Sequence, residues 1–510
     1  MLKILSLRDF DSPSFDESAT VAFIENNLHY CDYQNLQDEL QPFSKYLRKY
    51  PEVSIASDIL ATRETSRTVC ADDLFLPVHD SIFKRLASIW REKGVAEVIC
   101  LIASAEPEEV TTALHWIATR LKWALDLMDK GIYHREILPT SGSGSVVDVV
   151  HSRDWEISLI RCIAWHPHCA RLAVVTRDDR IRIFSQGIKV VPILRHSAQK
   201  SVCCISWRPL AGKELAVACH AGVLVWTIEV GASSSLSHAV LLKQRNHVPV
   251  THVTWHPQGD LLVSCSPADT SMMIWDTSRK EGVPLRRVGG GGLCFTRWSS
   301  CGSRLFSATC RNIFRVWNTG VATAWHADKW TVPNGRVAVA CFGPNLTLLF
   351  ASNEDPATIF SLPLQENIFD VKKPSLDDAK MAVPVIDLTT VNFACDDDYV
   401  TVGGRIVAME WDPTGRYLAI LFQTSPWIAL VKTKIGNLSR IVDVQPSCLI
   451  KGYYGELPTC IHFYQECQHD SNVVCLTIAW SSGRIQHFPI VEKENVSITD
   501  TSTYCNVRFL

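Results

Sequence analysis

The sequence lacks the segments that would place it in a membrane or in the secretory pathway. Its longest apolar runs, such as Tyr417–Phe422, are far shorter than the roughly 18 to 20 residues that span a bilayer. At the N-terminus, Arg8 and Asp9 interrupt the short apolar stretch over 1–7, so it does not form the core of an export signal. We therefore expect a protein that is neither secreted nor directly inserted into a membrane.

The sequence also lacks a strong charge of one sign and an ordered cysteine framework. It has 50 basic and 53 acidic residues, which gives a net charge of -3. This balance does not indicate a basic groove, and we expect no direct binding of nucleic acid. The 19 cysteines are odd in number and lie scattered among apolar positions. They predict reduced thiols and a cytosolic or nuclear compartment.

Enzyme motifs are absent as well. The sequence contains no Gly-x-Ser-x-Gly and no His-Glu-x-x-His, so the common nucleophile and metalloprotease patterns are missing. Four consecutive glycines occur over 289–292, but no Gly-Lys-Ser/Thr follows to bind a phosphate, which predicts a plain connecting loop. The sequence therefore favours a protein that is not an enzyme and has no cofactor.

One group of side chains leaves a metal site open as an alternative. Cys460, His462, Cys467 and His469 offer four zinc ligands within ten positions. Cys460 and His462 lie on one face of a predicted strand, and the following turn would have to supply the other two. We expect no metal here, and these four residues are the weak candidates for one.

A sevenfold repeat is the main positive feature of the sequence. Each unit has a short apolar run that ends in an aromatic residue and is followed by a turn, often as Trp-x-Pro. Spacings are roughly 40 to 50 residues with one longer gap, which is typical of four-stranded propeller blades. The seven aromatic residues are Trp165, Trp207, Trp255, Trp298, Phe342, Trp411 and Phe463.

Within each unit, short apolar runs and turn residues predict strands. In the third unit, strands are predicted over 249–255, 261–264 and 272–275, separated by turns containing Pro and Asp or Gly. A run equivalent to 272–275 recurs in all seven units. The fold class is therefore predicted to be all-β, a seven-bladed WD40-type β-propeller preceded by an α-helical N-terminal segment.

The domain organisation follows from these patterns. We predict a poorly defined segment over 1–75, with weak order over 1–60, and an amphipathic helical segment over 76–140. The propeller is predicted over 146–492, and a short C-terminal segment over 493–510. Helical spacing of apolar residues is clearest over 80–91 and 108–130. The apolar stripe there either packs on the propeller or docks a partner, and the sequence leaves both possibilities open.

The third unit also carries the polar residues of a WD repeat. His247, Asp269 and Trp275 stand where a histidine, a turn aspartate and a strand tryptophan are joined by hydrogen bonds, with Ser264 or Ser266 as the hydroxyl member. We predict a structural role for them. The same role is predicted for the tryptophans that mark the other units: Trp165, Trp207, Trp255, Trp298, Trp317 and Trp411.

Several stretches resemble the Aladin family of WD-repeat nucleoporins, including Phe314-Arg-Val-Trp317, Trp411-Asp-Pro-Thr-Gly415 and Trp480-Ser-Ser-Gly-Arg-Ile485. The resemblance covers about residues 75 to 490. It implies a non-catalytic scaffold or adaptor at the nuclear envelope, within the nuclear pore complex. It also implies tethering by a transmembrane nucleoporin, contacts with other nucleoporins, a role in nucleocytoplasmic protein transport and a link to the mitotic spindle.

Two other functions remain as alternatives. One is a generic WD scaffold, such as the substrate receptor of a ubiquitin ligase. The other is a propeller enzyme at the mouth of the central channel, which the Val, Cys and Thr residues at the predicted strand starts disfavour.

Ring closure is the last prediction. An open sheet edge invites aggregation, so a strand from the N-terminal side should seal the last blade beside 484–490. The candidates are residues 146–150 or 155–160, in which case a chain starting at residue 142 keeps its propeller. Residues 383–389 are predicted as the outer strand of the fifth blade.

Overall fold

The structure, a computed structural model, describes most of the chain. The described residues are 4–13, 18–32, 43–51, 53, 55, 86, 98–99, 102–103, 112–133, 149–187, 191–228, 237–286, 291–320, 325–354, 357–364, 382–395, 398–435, 442–464 and 473–492. The chain divides into two compact units. One comprises residues 1–60 with 140–510, and the other comprises residues 61–139.

Helices are few in the described residues. A single turn, α1 (Ser44–Leu47), belongs to the first unit, and a long helix, α2 (Thr112–Tyr133), belongs to the second. The helix predicted over 108–130 is therefore present from Thr112 onward. Of the helix predicted over 80–91, only Leu86 is described, and it is helical. No described helix is both long enough and apolar enough to cross a bilayer.

The first unit is built from β-strands. Three short strands precede the repeats: β1 (Leu5–Ser6), β2 (Ala19–Ile24) and β3 (Asn27–Cys31). The first three blades contain β4 (Ile160–Trp165), β5 (Arg171–Thr176), β6 (Ile181–Ser185), β7 (Ile193–Leu194), β8 (Cys204–Trp207), β9 (Glu214–Cys219), β10 (Gly222–Thr227), β11 (His238–Leu242), β12 (His252–Trp255), β13 (Leu262–Cys265), β14 (Ser271–Asp276) and β15 (Glu281–Arg286).

The remaining blades follow the same order. The fourth and fifth contain β16 (Leu293–Trp298), β17 (Arg304–Thr309), β18 (Ile313–Asn318), β19 (His326–Thr331), β20 (Val337–Phe342), β21 (Thr347–Ser352), β22 (Thr358–Pro363) and β23 (Val383–Asp387). A hairpin, β24 (Val391–Cys395) and β25 (Asp398–Val402), comes next. The last two blades contain β26 (Ile406–Trp411), β27 (Tyr417–Phe422), β28 (Ile428–Ile435), β29 (Val442–Ile450), β30 (Pro458–Phe463), β31 (Val473–Trp480) and β32 (Ile485–Val491).

These strands form seven blades, which confirms the predicted fold class. Within each blade, consecutive strands pair as an antiparallel meander. The first strands of neighbouring blades contact one another around the ring, and β30 contacts β4 to complete it. Each of the seven aromatic residues identified from the sequence is the last residue of its blade's first strand. The predicted outer strand over 383–389 is also present, as β23 beside β22.

Ring closure differs from the prediction. The last blade has only three strands of its own, and β2 supplies the fourth by pairing in parallel with β32, Phe23 opposite Ile490. Strand β3 then pairs with β2, and β1 pairs in parallel with β23 at the edge of the fifth blade. Residues 4–13 and 18–32, which we call the N-terminal belt, are thus part of the propeller, and the prediction of weak order over 1–60 is wrong for them.

Side-chain contacts hold the belt on the blades. Thr20 is fully buried, and its hydroxyl donates to the Lys451 carbonyl (2.9 Å) and accepts from the Lys451 amide (3.0 Å). The Gln486 amide of β32 donates to the Thr20 carbonyl (2.6 Å). Leu7 and Phe10 pack in the apolar cluster shared by the fifth and sixth blades. Residues 149–150 and 155–160 of the segments predicted to seal the ring therefore do not take this place beside β32, and residues 146–148 lie outside the described residues.

Candidate interaction face

The four polar residues of the third blade form one continuous hydrogen-bond chain. The Trp275 indole donates to Ser264 Oγ (2.8 Å), Ser264 Oγ lies 2.8 Å from His247 Nε2, and His247 Nδ1 lies 2.9 Å from Asp269 Oδ2. Since a carboxylate only accepts, Nδ1 carries the proton and the serine hydroxyl donates to Nε2. Of the two serines suggested by the sequence, Ser264 is the member of this chain.

This chain has the residue order of a Ser-His-Asp catalytic triad, but its surroundings assign it a structural role. Ser264 and His247 are buried, which leaves no approach for a substrate. The serine oxygen already accepts the indole proton of Trp275. Asp269 also accepts from the backbone amide of Ser271 (2.8 Å), which fixes the turn between β13 and β14. This chain of hydrogen bonds links His247, at the start of the blade, to Trp275 on its third strand.

Replacing Ser264 tests this role. Ser264→Ala removes the shared hydroxyl and leaves the Trp275 indole and His247 Nε2 buried without a partner, so we expect a loss of about 2 to 3 kcal/mol of stability. Ser266→Ala is the matched control, because Ser266 is equally buried but its hydroxyl accepts only the Ala268 amide (3.2 Å). Urea unfolding of both variants measures the difference, and equal losses would contradict the assignment.

The tryptophans at the ends of the first strands join neighbouring blades. Three consecutive blade boundaries each carry an indole donor that reaches into the preceding blade. The bonds are Trp165 Nε1 to Thr477 Oγ1 (2.8 Å), Trp207 Nε1 to the Ala164 carbonyl (3.1 Å) and Trp255 Nε1 to the Ser206 carbonyl (3.2 Å). The first of these crosses the boundary between the last blade and the first, so it supports closure of the ring.

The other predicted tryptophans act within or beside their own blades. Trp411 donates to Thr433 Oγ1 (2.9 Å), and Trp317 donates to Ser307 Oγ (2.9 Å), each inside one blade. The Trp298 ring lies edge-on to the His256 ring of the third blade, with centroids 4.7 Å apart. All of these residues stabilise the blade packing.

The weak metal candidates are only partly described. Cys460 is buried in β30, and burial raises the pKa of its thiol to about 12. His462 Nδ1 lies 2.8 Å from the Phe463 carbonyl. Cys467 and His469 lie outside the described residues. Among the residues that the structure does describe, no group of three or more His, Cys, Asp or Glu side chains is placed to hold a metal ion.

The central channel is lined by the first strands of the blades and encloses a cavity of about 580 Å³. An ion pair spans it, with Arg297 Nη2 of β16 2.8 Å from Glu410 Oε1 of β26. Glu410 raises the pKa of Arg297. Cys162 and Cys204 face the same cavity, and burial raises the pKa of both thiols. The channel therefore presents protonated thiols and a paired carboxylate.

Residues 149–159, which we call the plug, lie across the channel at the end where the first strands begin. Their contacts reach the second, fourth, sixth and seventh blades. They comprise Trp155 Nε1 to the Val202 carbonyl (3.3 Å), the His151 ring against Phe295 (4.5 Å between centroids), Arg153 Nη1 to the Ser425 carbonyl (2.6 Å) and the Arg153 amide to the Thr459 carbonyl (3.0 Å). The plug covers this mouth of the channel and precedes β4 directly.

Three large apolar side chains project at the plugged end. Ile157 of the plug is 74% exposed, Tyr399 of the β24–β25 hairpin is 74% exposed and Tyr454 in the loop before β30 is 93% exposed. The hairpin leads into β26, and the loop leads into β30, so both lie at the end of the ring where the plug sits. We call this set, with the plug, the plugged face.

The Tyr454 loop is held rigidly. Glu456 accepts from the Tyr453 amide (3.0 Å) and forms an ion pair with Arg484 (2.5 Å). The Arg484 guanidinium also lies over the Tyr453 ring, 4.8 Å from its centroid. Gly455 has a φ of +80°, which allows the tight turn. A fixed backbone thus presents Tyr454 to solvent, which is the arrangement expected of a docking side chain.

A family model described as the Aladin seven-bladed propeller matches residues 141–491. The chain belongs to the Aladin family. Aladin of Arabidopsis thaliana is 25% identical to it over 361 residues, which is 66% of this chain and 76% of that protein. EARP and GARP complex-interacting protein 1 of Rattus norvegicus is 25% identical over 95 residues, which is 18% of this chain and 25% of that protein.

The family assignment confirms the resemblance seen in the sequence. The matched region begins before the plug and ends at the last strand of the seventh blade. It therefore contains all strands of the seven blades of this Aladin family member except β2, which belongs to the N-terminal belt outside the match. Sequence reasoning missed both the plug and the belt, because neither carries the aromatic residue and turn that mark the repeat.

The plug of this Aladin family member should make stability sensitive to acid. Burial is the largest cause that lowers the pKa of His151 to about 3, and the positive charges of Arg297 and Arg336 add to it. In the unfolded chain, His151 takes up its proton near pH 6.5. The stabilising contribution of the neutral ring is therefore present above pH 6.5 and is lost as the pH falls toward 3.

We expect His151 to account for about 2 kcal/mol of the stability lost between pH 7.5 and pH 5. His151→Gln, which does not titrate, should show a loss smaller by this amount in urea unfolding at the two pH values. Identical losses in both proteins would contradict the assignment.

Proposed function

We propose that the protein is a non-catalytic scaffold of the nuclear pore complex, held at the nuclear envelope by a transmembrane nucleoporin. In this proposal it supports nucleocytoplasmic transport of proteins in interphase and spindle assembly in mitosis. The observation that carries the proposal is the match of the Aladin propeller family to residues 141–491, on a ring with all seven blades in place. An Aladin-type nucleoporin is the identity that family membership supports.

The polar groups of the described structure favour a scaffold over an enzyme. The hydrogen-bond chain through Ser264 is buried, so a substrate cannot approach it. In the channel, Glu410 is paired with Arg297, and burial keeps the Cys162 thiol protonated. A propeller enzyme needs acids, bases and nucleophiles that converge where a substrate can reach them. These groups instead stabilise the blades, and the fold offers broad faces for binding partners.

We place the docking site for the membrane-anchored partner on the plugged face. The plug converts one mouth of the channel into a continuous surface, and Ile157 and Tyr454 stand on it as exposed apolar side chains. Tyrosine and large aliphatic side chains on a rigid backbone are effective interface anchors, because little conformational entropy is lost when they bind. The face therefore suits a protein partner.

Charge substitutions on this face test the proposal. The full chain, carrying Ile157→Glu and Tyr454→Glu together, is compared with wild type for co-purification of transmembrane nucleoporins from detergent-solubilised nuclear envelopes of its own source. We expect at least a tenfold loss of recovery, because each carboxylate would be desolvated at the centre of the interface.

Leu210→Glu is the matched control. Leu210 is 73% exposed and lies in the loop between β8 and β9, at the opposite end of the ring. Its substitution should leave the recovery unchanged. An equal loss with both variants, or no loss with either, would contradict the placement. Recovery of ubiquitin-ligase subunits in place of nucleoporins would contradict the proposed function and favour the generic scaffold.

A further inference from the structure

Two cysteines of the fourth blade lie in direct contact. Cys294 is the second residue of β16, Cys310 directly follows β17, and their sulfurs are 3.3 Å apart. Cys294 is fully buried, whereas Cys310 is half-buried. Sulfur atoms this close need little backbone movement to bond.

A β-bulge brings the two sulfurs together. Leu293 pairs with Thr309 and Phe295 pairs with Ala308, so Cys294 is the extra residue on the β16 side. The Cys310 amide donates to the Gly292 carbonyl (2.8 Å), which fixes the other strand at the same level. The two thiols therefore sit side by side as a consequence of the backbone, one at the bulge of β16 and the other directly after β17.

An arginine completes the cluster. Arg336, in the connection between β19 and β20, is buried and interacts with the Cys294 thiol by charge and by hydrogen bonding. Burial raises the pKa of Cys294, but the contact with Cys310 and the charge of Arg336 together lower it below its ordinary value. The contact with Cys294 is the largest cause that raises the pKa of Cys310, and burial raises it further. The pair therefore loses its first proton from Cys294, as in redox-active cysteine sites.

We propose that Cys294 and Cys310 are a redox-sensitive pair that hydrogen peroxide converts reversibly to a disulfide. The Cys294 thiolate attacks one peroxide oxygen, the O–O bond breaks, and the departing hydroxide takes up a proton to become water. Cys294 is then a sulfenic acid. The Cys310 sulfur attacks the Cys294 sulfur, the S–O bond breaks, and a second water leaves with the Cys310 proton. Two thiols are oxidised and one peroxide is reduced to two waters.

The sequence allows a direct test on the full chain. Trypsin cleaves after Arg287, Arg297, Arg304 and Arg311, so Cys294, Cys301 and Cys310 fall in three separate peptides, 288–297, 298–304 and 305–311. The reduced, folded protein is treated with hydrogen peroxide, remaining thiols are alkylated, and linked peptides are measured by mass spectrometry. We expect the link between 288–297 and 305–311 to be at least tenfold more abundant than any link that includes Cys301, and dithiothreitol should remove it.

Cys301 is the internal control, because it lies between the pair in sequence and its thiol is exposed. Cys301→Ser should leave the link unchanged. Cys310→Ser should abolish it and leave a sulfenic acid on Cys294, which dimedone traps when the sample is denatured in its presence. Arg336→Gln should slow formation of the link at least fivefold. The proposal is overturned if Cys294 and Cys310 stay alkylatable while Cys301 is oxidised, or if the link forms only after the protein has unfolded.

Discussion

A chain that begins at residue 33 is expected to be recovered as insoluble protein. The deletion removes the N-terminal belt and exposes the unpaired edge of β32, which is a template for aggregation. It also removes five large buried apolar side chains, each worth about 1.5 to 3 kcal/mol, so together they contribute about 7.5 to 15 kcal/mol. That sum matches or exceeds the net stability of a typical domain. These five side chains are Leu5, Leu7, Phe10, Val21 and Phe23.

The control for this deletion keeps the belt and removes the second unit. Residues 61–139 are replaced by a Gly/Ser linker of about 20 residues, which spans roughly 25 Å on average. Because the two units are separately compact, this chain should remain soluble and unfold cooperatively. The fraction of soluble protein after expression, with circular dichroism of that fraction, measures both outcomes. A soluble chain from residue 33 with an unchanged melting temperature would contradict the role of the belt.

Gly292→Ala adds a single methyl group and is expected to lower the melting temperature by about 6 to 12 °C. This range corresponds to a loss of about 3 kcal/mol, since each kcal/mol lowers the melting temperature by about 2 to 4 °C. A Cβ built on Gly292 would lie 1.7 Å from the Pro267 carbonyl oxygen and 2.3 Å from its carbonyl carbon. Because the obstacle is backbone, relief requires the turn of the third blade to move away from β16. We expect Gly292→Ala to cost about 3 kcal/mol, the upper end for an overpacked site.

Gly212→Ala is the matched control for this substitution. Gly212 lies in a loop of the second blade, and a Cβ there would meet nothing within 4 Å. Its replacement should change stability by less than about 0.5 kcal/mol. Thermal unfolding of both variants measures their melting temperatures and thus tests the prediction. Equal melting temperatures would show that the third and fourth blades adjust freely at this boundary.

The repeat could be predicted from the sequence because each blade carries its own signals. In the third blade, the predicted strands over 249–255, 261–264 and 272–275 correspond to β12, β13 and β14. An aromatic residue, a turn and an apolar run lie within a few residues of each other, so local pattern and tertiary position agree. The hydrogen-bond partners of His247 could be proposed in the same way.

The belt could not be found by the same reasoning, because its partners are distant in the sequence. Ala19–Ile24 forms β2, and Glu25 and Asn26 adopt the positive φ values of a tight hairpin turn before β3. Nothing in these residues indicates that the hairpin joins a blade more than 400 residues away. The four-glycine run over 289–292 likewise predicts only a plain loop, and the structure shows the close approach of Gly292 to Pro267.

Fluorescence imaging is the most direct test of the proposed nucleoporin function. The full chain, tagged at its N-terminus, is expressed in interphase cells of its own source together with a nuclear pore marker. We expect a punctate nuclear rim that coincides with the marker. The protein that carries both Ile157→Glu and Tyr454→Glu should give a diffuse signal, whereas Leu210→Glu should stay at the rim. Diffuse signal from the folded wild-type chain would contradict the nucleoporin function, and only the assignment of the propeller fold would then stand.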